Sequence, residues 1–329
     1  MATRRKTSAD VERLASLYET MLLIRCTEGT LSRIFADGEV PGFIHLSIGQ
    51  EAVAAGVASA LQPQDTLATT HRGHGHVLAR GLDLEGFFKE IMGRDGGVCR
   101  GRGGSMHVSD MNLGIIGANG IVGAGIPIAV GSALALKTLS TRGVAVSMFG
   151  DGAMAEGVLH ESLNLAALWK LPVLFVCENN GWSEFSPTRE QFAASLDKLA
   201  AAFGLPHTRV DGNDVLAVAD AAARLVAEQR DGGGARVLEC STHRVRGHFE
   251  GDPQKYRPAD ELKADAQRDP LERAAAALRA AGFGEPALER LSEQVEARVA
   301  AALAAARADA LPRHEDAIAD VYTVASGRH

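Results

Sequence analysis

The pattern of hydrophobic and polar positions predicts strands that alternate with helices along most of the chain. Short apolar runs without strict polar alternation lie at residues 144–149, 172–177 and 236–240. Helix-length segments separate these runs, and such runs are typical of parallel strands that helices cover on both faces. The predicted fold class is therefore α/β, with a doubly wound, mostly parallel sheet.

The segments beyond these strands show helical spacing. Apolar residues recur at helical intervals over residues 153–168, directly after Gly150-Asp151-Gly152, which predicts a strand, a tight turn and a helix. From about residue 258 onward alanine, arginine, glutamate and leucine dominate, and their spacing predicts C-terminal helices that cover the sheet or a partner. We predict a flexible tail over residues 1–10 and a single domain over residues 11–329.

Composition narrows the classes of protein that the chain can represent. Among 329 residues, 34 Lys and Arg stand against 41 Asp and Glu, which gives a net charge of −7. This acid excess argues against nucleic acid or an anionic membrane as a partner. The most apolar stretch, residues 115–136, is interrupted by glycines and Pro127, so we expect a buried segment and no membrane span. Four widely spaced cysteines and the absence of a secretory signal pattern predict reduced thiols in a cytoplasmic protein.

The turn at Gly150-Asp151-Gly152 admits two kinds of ligand. Together with Ala155 it satisfies the relaxed dinucleotide pattern G-x-G-x-x-A, so a nicotinamide or flavin site is one interpretation. However, the Asp151 carboxylate would repel a pyrophosphate unless a cation lay between them. Oxygen ligands for Mg²⁺ are available at Asn179-Asn180, after the next strand, and a helix starting near Ala153 would direct its N-terminus at a diphosphate.

The flanking sequence carries a family resemblance. Gly150-Asp151-Gly152 is followed after twenty-six residues by Asn179-Asn180, the arrangement of a thiamin-diphosphate motif. Further matching segments lie in the same order at residues 45–52, 70–75, 103–107, 119–123 and 246–248. Over about residues 10–320 the chain resembles the α subunit of the thiamin-diphosphate-dependent dehydrogenase component of 2-oxo acid and acetoin dehydrogenase complexes, and among these the α subunits of acetoin dehydrogenases most.

The resemblance implies a thiamin-diphosphate-binding fold with helical N- and C-terminal additions, and thiamin diphosphate with Mg²⁺ as cofactors. It implies Mg²⁺ ligands at the side chains of Asp151 and Asn180 and at the backbone carbonyl of Trp182. It implies catalytic roles in substrate orientation or proton transfer for His45 and His74. The implied cofactor-binding residues are His71, Arg72, Gly120, Val122, Asp151, Gly152, Ala153, Asn180, Arg244 and His248.

Each of these assignments has a structural alternative. Asp151 could cap the following helix, Asn180 could occupy a turn, and the basic residues could form a solvated surface. The glycines near Gly120 could serve helix packing. His45 and His74 could each be a histidine whose hydrogen bonds are satisfied in a polar interior. His71, His74 and His76 could instead form a transition-metal site, which the interposed Arg72 and the lack of a further ligand pattern disfavour.

The resemblance also bears on substrate and partners. It implies that a β subunit supplies the glutamate that activates the cofactor, in an α2β2 assembly, and that the acyl unit passes to a lipoyl-bearing transacylase. The segment Phe249-Glu250-Gly251-Asp252 resembles acetoin dehydrogenases, so we predict cleavage of acetoin to acetaldehyde and an acetyl unit. Oxidative decarboxylation of pyruvate or of a branched-chain 2-oxo acid is the alternative. A nicotinamide-dependent oxidoreductase and a non-catalytic structural subunit are the interpretations from other classes.

Overall fold

The computed structural model describes residues 8–318 and contains a six-stranded parallel sheet. The strands are β1 (Thr66–Ala68), β2 (Ile115–Gly117), β3 (Ala145–Gly150), β4 (Val173–Asn179), β7 (His207–Asp211) and β8 (Arg236–Ser241). Their spatial order is β2-β1-β3-β4-β8-β7. The short strands β5 (Trp182–Ser183) and β6 (Ser186–Pro187) form a separate antiparallel pair. The three predicted strands are β3, β4 and β8, and the α/β prediction with a mostly parallel sheet is confirmed.

Helices cover both faces of this sheet. They are α1 (Ser8–Ala36), α2 (Glu51–Ala58), α3 (His74–Ala79), α4 (Leu84–Ile91), α5 (Gly125–Thr138), α6 (Gly157–Leu168), α7 (Leu196–Ala202), α8 (Val215–Arg230), α9 (Ala259–Ala266), α10 (Pro270–Ala280) and α11 (Glu285–Ala308). On β4, Phe175 packs in the cluster with α5 and α6, whereas Leu174 and Val176 pack in the cluster with α2 and α8. Because successive side chains point to opposite faces, a strand buried on both faces has the continuous apolar run that predicted it.

The predicted C-terminal helices are present as α9, α10 and α11, beginning at residue 259. Leu271 and Leu278 of α10 pack against Leu14 and Met21 of α1, in a core cluster beside the sheet. Helix α11 contributes Val299 to a further cluster with α4. These helices are therefore integral to the hydrophobic core of the described residues.

Three predicted features differ from the structure. A 3-10 helix spans Asp151–Ala155, and α6 begins only at Gly157 because Glu156 is extended (φ −77°, ψ 133°). Helix α1 begins at Ser8, so residues 8–10 are not a tail, and residues 1–7 lie outside the described residues. The stretch 115–136 is only partly buried, since Ile121 is 72% exposed and Ile128 is 43% exposed. The single domain from residue 11 stays a prediction.

The remaining predictions concern cysteines and membranes. All four cysteines are free thiols; Cys177 and Cys240 lie in the core, whereas Cys26 and Cys99 are half-buried. Within residues 8–318, no helix combines the length and the apolar character needed to cross a membrane.

Candidate active site

A cavity opens at the carboxyl ends of β3 and β4, where ligands bind in open α/β sheets. Twelve of the thirteen residues that the sequence singled out line it: His45, His71, Arg72, Gly120, Val122, Asp151, Gly152, Ala153, Asn180, Trp182, Arg244 and His248. They come from loops that are widely separated along the chain. The exception is His74, which does not line this cavity.

Asp151 places a buried carboxylate at the end of β3. The residue is 1% exposed and accepts a hydrogen bond from the hydroxyl of Thr188. Burial raises the pKa of its carboxyl to about 6, although the Thr188 hydroxyl lowers it. Asp151 does not act as a helix cap, because α6 has no side-chain cap and the 3-10 helix is preceded by Gly150. Among residues 8–318 no ion pair neutralises this carboxylate, which suits it to a cation entering the cavity.

Asn180 and Trp182 follow β4, the strand that pairs with β3. The backbone N–H of Trp182 donates to Oδ1 of Asn180 over 3.1 Å, and Nδ2 of Asn180 donates to Oε1 of Gln50 over 3.0 Å. Asn180 therefore does occupy a turn, as its structural alternative supposed, and its oxygen keeps a second lone pair. A carboxylate, an amide oxygen and a backbone carbonyl form a donor set that Mg²⁺ prefers. The residues present thus fit a divalent metal beside a diphosphate.

Two buried arginines make the cavity electropositive. Arg72 is 6% exposed and donates to the carbonyl oxygens of Leu46 (2.7 Å) and His248 (2.9 Å). Arg244 is 1% exposed and donates to Tyr256 Oη over 2.8 Å. Burial lowers the pKa of Arg72 to about 10, which leaves it charged at neutral pH. Both side chains are buried, so the solvated-surface alternative is wrong, and neither forms an ion pair among the described residues. An anionic ligand would balance them.

Three histidines cluster beside these arginines. The ring centroids of His45 and His71 lie 4.7 Å apart, and that of His248 lies 5.1 Å from His45. Burial, with a further contribution from the charge of Arg72, lowers the pKa of His45 to about 3 and that of His248 to about 4, and it lowers the pKa of His71 well below its usual value. All three are therefore neutral at pH 7. Their ring nitrogens are close enough to hold a metal, but the neighbouring Arg72 and Arg244 oppose a cation there.

His74 lies outside the lining of the cavity, and its predicted catalytic role stays a prediction. The residue is 1% exposed; its Nδ1 lies 3.3 Å from Oε1 of Glu28, and its Nε2 lies 2.7 Å from Oγ of Ser105.

His76 is likewise engaged in a hydrogen bond, with Nδ1 lying 2.5 Å from the hydroxyl of Thr69. The alternative metal site of His71, His74 and His76 is therefore not assembled.

Backbone positions complete the lining. A Cβ atom at Gly152 would lie 2.5 Å from Oγ of Ser183, so any larger residue there would require the Ser183 side chain to move. At Gly120 the nearest atom to such a Cβ, Sδ of Met106, would be 3.7 Å away. Packing within the described chain therefore does not require glycine at position 120, which favours ligand approach over the packing alternative. Val122 is 47% exposed, whereas Ala153 is 2% exposed.

Sequence reasoning missed three residues that organise this site. Gln50 contacts Asn180, Thr188 contacts Asp151, and Glu261 of α9 accepts the indole N–H of Trp182 over 2.5 Å. Gln50 lies in a segment that carried the family resemblance, which was the one signal available. The contacts of Thr188 and Glu261 depend on the tertiary fold and left no local pattern.

The fold and the cavity define an α/β protein that binds an anionic ligand, with a metal-compatible donor set, at the carboxyl ends of its central strands. Residues 18–315 match the family described as the dehydrogenase E1 component. The chain belongs to this family of thiamin-diphosphate-dependent oxidoreductases.

Curated relatives agree with this assignment. The chain is 49% identical over 253 residues to the α subunit of acetoin:2,6-dichlorophenolindophenol oxidoreductase of Bacillus subtilis, covering 76% of this chain and 75% of the relative. It is 44% identical over 318 residues to the subunit of the same name from Cupriavidus necator, covering 95% of each chain. It is 42% identical over 311 residues to the pyruvate dehydrogenase E1 component subunit α of Zymomonas mobilis, covering 94% of this chain and 88% of the relative.

Proposed function

We propose that the chain is the α subunit of a thiamin-diphosphate- and Mg²⁺-dependent enzyme that cleaves acetoin and passes the acetyl unit to a lipoyl-bearing transacylase. Two relatives named for acetoin oxidation and the family assignment support this proposal. The observation that carries it is the cavity at the ends of β3 and β4, which combines a buried carboxylate with two buried arginines that form no ion pair within residues 8–318.

The residues divide into cofactor-binding and substrate-facing groups. Asp151 and Asn180, with the backbone carbonyl of Trp182, would hold Mg²⁺, and Arg72 and Arg244 would bind the diphosphate. When bound, thiamin diphosphate supplies a nucleophilic carbon and an electron sink for cleavage of the carbon–carbon bond. The remaining proposed cofactor contacts are His71, Gly120, Val122, Gly152, Ala153 and His248.

His45 is the proposed residue for substrate orientation or proton transfer. It lies in the cavity as a neutral imidazole, because burial holds its pKa at about 3. A neutral imidazole can donate one hydrogen bond and accept another, so it can move a proton between its two ring nitrogens. Its Nδ1 is buried and has no hydrogen-bond partner among the described residues, which leaves that atom for a ligand or a water.

The charged residues of the lining are compatible with a neutral substrate. Among the described residues that line the cavity, the arginines are Arg72 and Arg244, the lining contains no lysine, and the diphosphate would engage both arginines. Next to His248 in the chain, Phe249 packs edge-on against Phe43 with ring centroids 5.8 Å apart. Acetoin carries no charge, whereas the carboxylate of pyruvate requires a further donor set. Pyruvate and branched-chain 2-oxo acids remain the alternative substrates.

The chain needs a partner for catalysis in this proposal. The resemblance assigns the glutamate that activates the cofactor to a β subunit, in an α2β2 assembly. Exposed apolar side chains at Ile121 (72%), Val122 (47%) and Ile128 (43%) lie on the cavity rim and on α5, and such surfaces favour a protein interface. A cytoplasmic location also belongs to the proposal, and the four free thiols support it.

The test is turnover by the purified complex of this chain with its β subunit. We expect reduction of 2,6-dichlorophenolindophenol to depend on thiamin diphosphate and Mg²⁺ and to be faster with acetoin than with pyruvate or a branched-chain 2-oxo acid. Faster turnover of pyruvate would overturn the substrate assignment. Titration with a nicotinamide cofactor in the absence of Mg²⁺ tests the first of the other classes. Tight binding there would indicate a nicotinamide-dependent oxidoreductase. Absence of turnover with every substrate would indicate a structural subunit.

A further inference from the structure

Gln50 is a buried amide in the cavity to which neither the resemblance nor the comparisons assign a role. The residue precedes α2, is 1% exposed and lines the cavity. Its backbone is closely held, because Gly49 has a φ of +100° and a Cβ there would lie 2.7 Å from the carbonyl oxygen of His243. Packing of the chain therefore fixes the position of Gln50 without any ligand.

A series of hydrogen bonds fixes the direction of the Gln50 amide. The backbone N–H of Trp182 donates to Oδ1 of Asn180, so Nδ2 of Asn180 faces the other way. This Nδ2 donates to Gln50 over 3.0 Å, and only the amide oxygen of Gln50 can accept a hydrogen bond. The Gln50 oxygen therefore faces Asn180, and Nε2 faces away from it.

Nε2 of Gln50 is buried and has no hydrogen-bond partner among the described residues. Buried donors without a partner are rare because they lose hydration without compensation. In a residue that lines a ligand cavity, such a donor indicates an acceptor on the ligand. Arg72 and Arg244 line the same cavity and favour an anion, so a phosphate oxygen is the matching acceptor.

We propose that Gln50 holds the Asn180 amide with its oxygen available to Mg²⁺ and donates through Nε2 to an oxygen of the diphosphate. The proposal rests on the proposed function, since it takes thiamin diphosphate and Mg²⁺ as the ligands. Gln50 is then a cofactor-binding residue through Nε2 and a positioning residue through Oε1.

Two substitutions separate these roles. Gln50→Ala removes both the acceptor for Asn180 and the donor to the diphosphate. Gln50→Glu keeps an acceptor for Asn180 but replaces the donor with a carboxylate oxygen, which repels a diphosphate. The affinity for thiamin diphosphate is measured by calorimetric titration of the assembled complex at saturating Mg²⁺. The affinity of the Gln50→Ala complex for Mg²⁺ is measured in the same way at saturating thiamin diphosphate.

We expect Gln50→Ala to weaken thiamin diphosphate binding about tenfold or more, as loss of a hydrogen bond to a charged group predicts. Gln50→Glu should weaken it further than Gln50→Ala does. Gln50→Ala should also raise the Mg²⁺ concentration that half-saturates the site, because the Asn180 amide is no longer held.

Gln229→Ala is the matched control. Gln229 is 2% exposed, and its Nε2 donates to the carbonyl of Val173 over 2.6 Å, outside the cavity lining. This variant should lower the melting temperature yet bind both ligands as the wild type does. Binding by Gln50→Ala and Gln50→Glu within twofold of wild type would overturn the proposal for Gln50 alone. If the wild-type complex failed to bind thiamin diphosphate with Mg²⁺, the proposed function itself would fall.

Discussion

Oγ of Ser105 lies 2.7 Å from Nε2 of His74, behind the cavity lining. On the other side of the ring, Nδ1 lies 3.3 Å from Glu28, whose carboxylate also accepts the backbone N–H of Ser47 over 2.8 Å. Hydrogen bonds thus connect a carboxylate of α1, an imidazole of α3 and a loop hydroxyl, one after the other. Met106, which follows Ser105, lines the cavity, so this network lies directly beside the cavity lining.

We expect His74→Ala to act through stability. The substitution removes the imidazole partner of Glu28 and of Ser105, both buried, so that the Ser105 hydroxyl loses its hydrogen bond and Glu28 keeps only the N–H of Ser47. It should lower the free energy of unfolding by about 2–3 kcal/mol in urea denaturation. Ser105→Ala should cost about 1 kcal/mol, because it removes one neutral hydrogen bond. A His74→Ala variant with wild-type stability but no turnover would instead support the direct catalytic role that the sequence suggested.

Metal affinity should depend on pH through Asp151. Burial raises the pKa of this carboxyl in the folded chain to about 6, above the ordinary value of 3.8. Between about pH 4 and 6 the folded chain therefore binds more protons than the unfolded chain, and the stability of the unliganded protein falls as pH rises through this window. Mg²⁺ needs the deprotonated carboxylate, so its affinity should fall about tenfold per pH unit below pH 6 and level off above it.

The measurement is Mg²⁺ titration in the presence of thiamin diphosphate from pH 5 to 7.5. His45 and His248 do not titrate in this range, since their pKa values lie near 3 and 4. Asp151→Asn should bind Mg²⁺ weakly at every pH and keep only the pH dependence that the diphosphate itself contributes. Wild-type affinity that stayed constant between pH 5 and 7 would contradict the assignment of Asp151 as a ligand.

Glu90 should organise the loop that precedes Ser105. This residue of α4 is fully buried, and its two carboxylate oxygens accept the backbone N–H groups of Cys99, Gly101, Gly103 and Gly104 at 2.7–3.0 Å. Glu90→Gln replaces one acceptor with an amide donor that faces two of these N–H groups. We expect the free energy of unfolding to fall by about 3 kcal/mol and hydrogen exchange of the four amides to accelerate.

Glu85→Gln is the control for Glu90→Gln. Glu85 lies on the same helix, but it is half-exposed and pairs with Lys89 over 2.6 Å, so its loss should leave exchange of the loop amides unchanged. Unaltered exchange in Glu90→Gln would show that the loop is held by other contacts.

The sequence predicted the strands because burial on both faces leaves a continuous apolar run, as in β3 and β4. It predicted most of the cavity lining because the ends of parallel strands converge on one edge of the sheet. The sequence did not predict the direction in which individual side chains point. His71 and His74 are three residues apart, yet α3 begins at His74 and turns that ring toward α1, while His71 stays in the cavity.

Contacts between distant segments also left no sequence pattern. Gln50 and Asn180 are 130 residues apart, and their hydrogen bond exists only because the fold brings the residue before α2 to the residue after β4. Likewise, the extended conformation of Glu156 delays the start of α6, although helical spacing begins earlier. Periodicity reports which face is buried and does not report such local breaks.

Arg72 should be required for the diphosphate more than for the fold. Its guanidinium donates to two backbone carbonyls and forms no ion pair among the described residues, so its charge is uncompensated until an anion binds. Arg72→Met should therefore weaken thiamin diphosphate binding about 100-fold in calorimetric titration. It should also abolish the rise in melting temperature that the ligand gives the wild type.

Arg80→Met is the control for Arg72→Met. It distinguishes the loss of a positive charge in the cavity from the loss of hydrogen bonds to backbone carbonyls. Among the residues that the structure describes, Arg80 likewise donates only to backbone carbonyls, those of Leu113, Gln62 and Asp65, but it does not line the cavity. Both variants should lower the melting temperature of the unliganded protein, since each leaves carbonyl oxygens unpaired. Only Arg72→Met should change the ligand affinity. Equal affinities in the two variants would mean that the positive charge of Arg72 does not serve the diphosphate and that this side chain acts through its contacts with Leu46 and His248 alone.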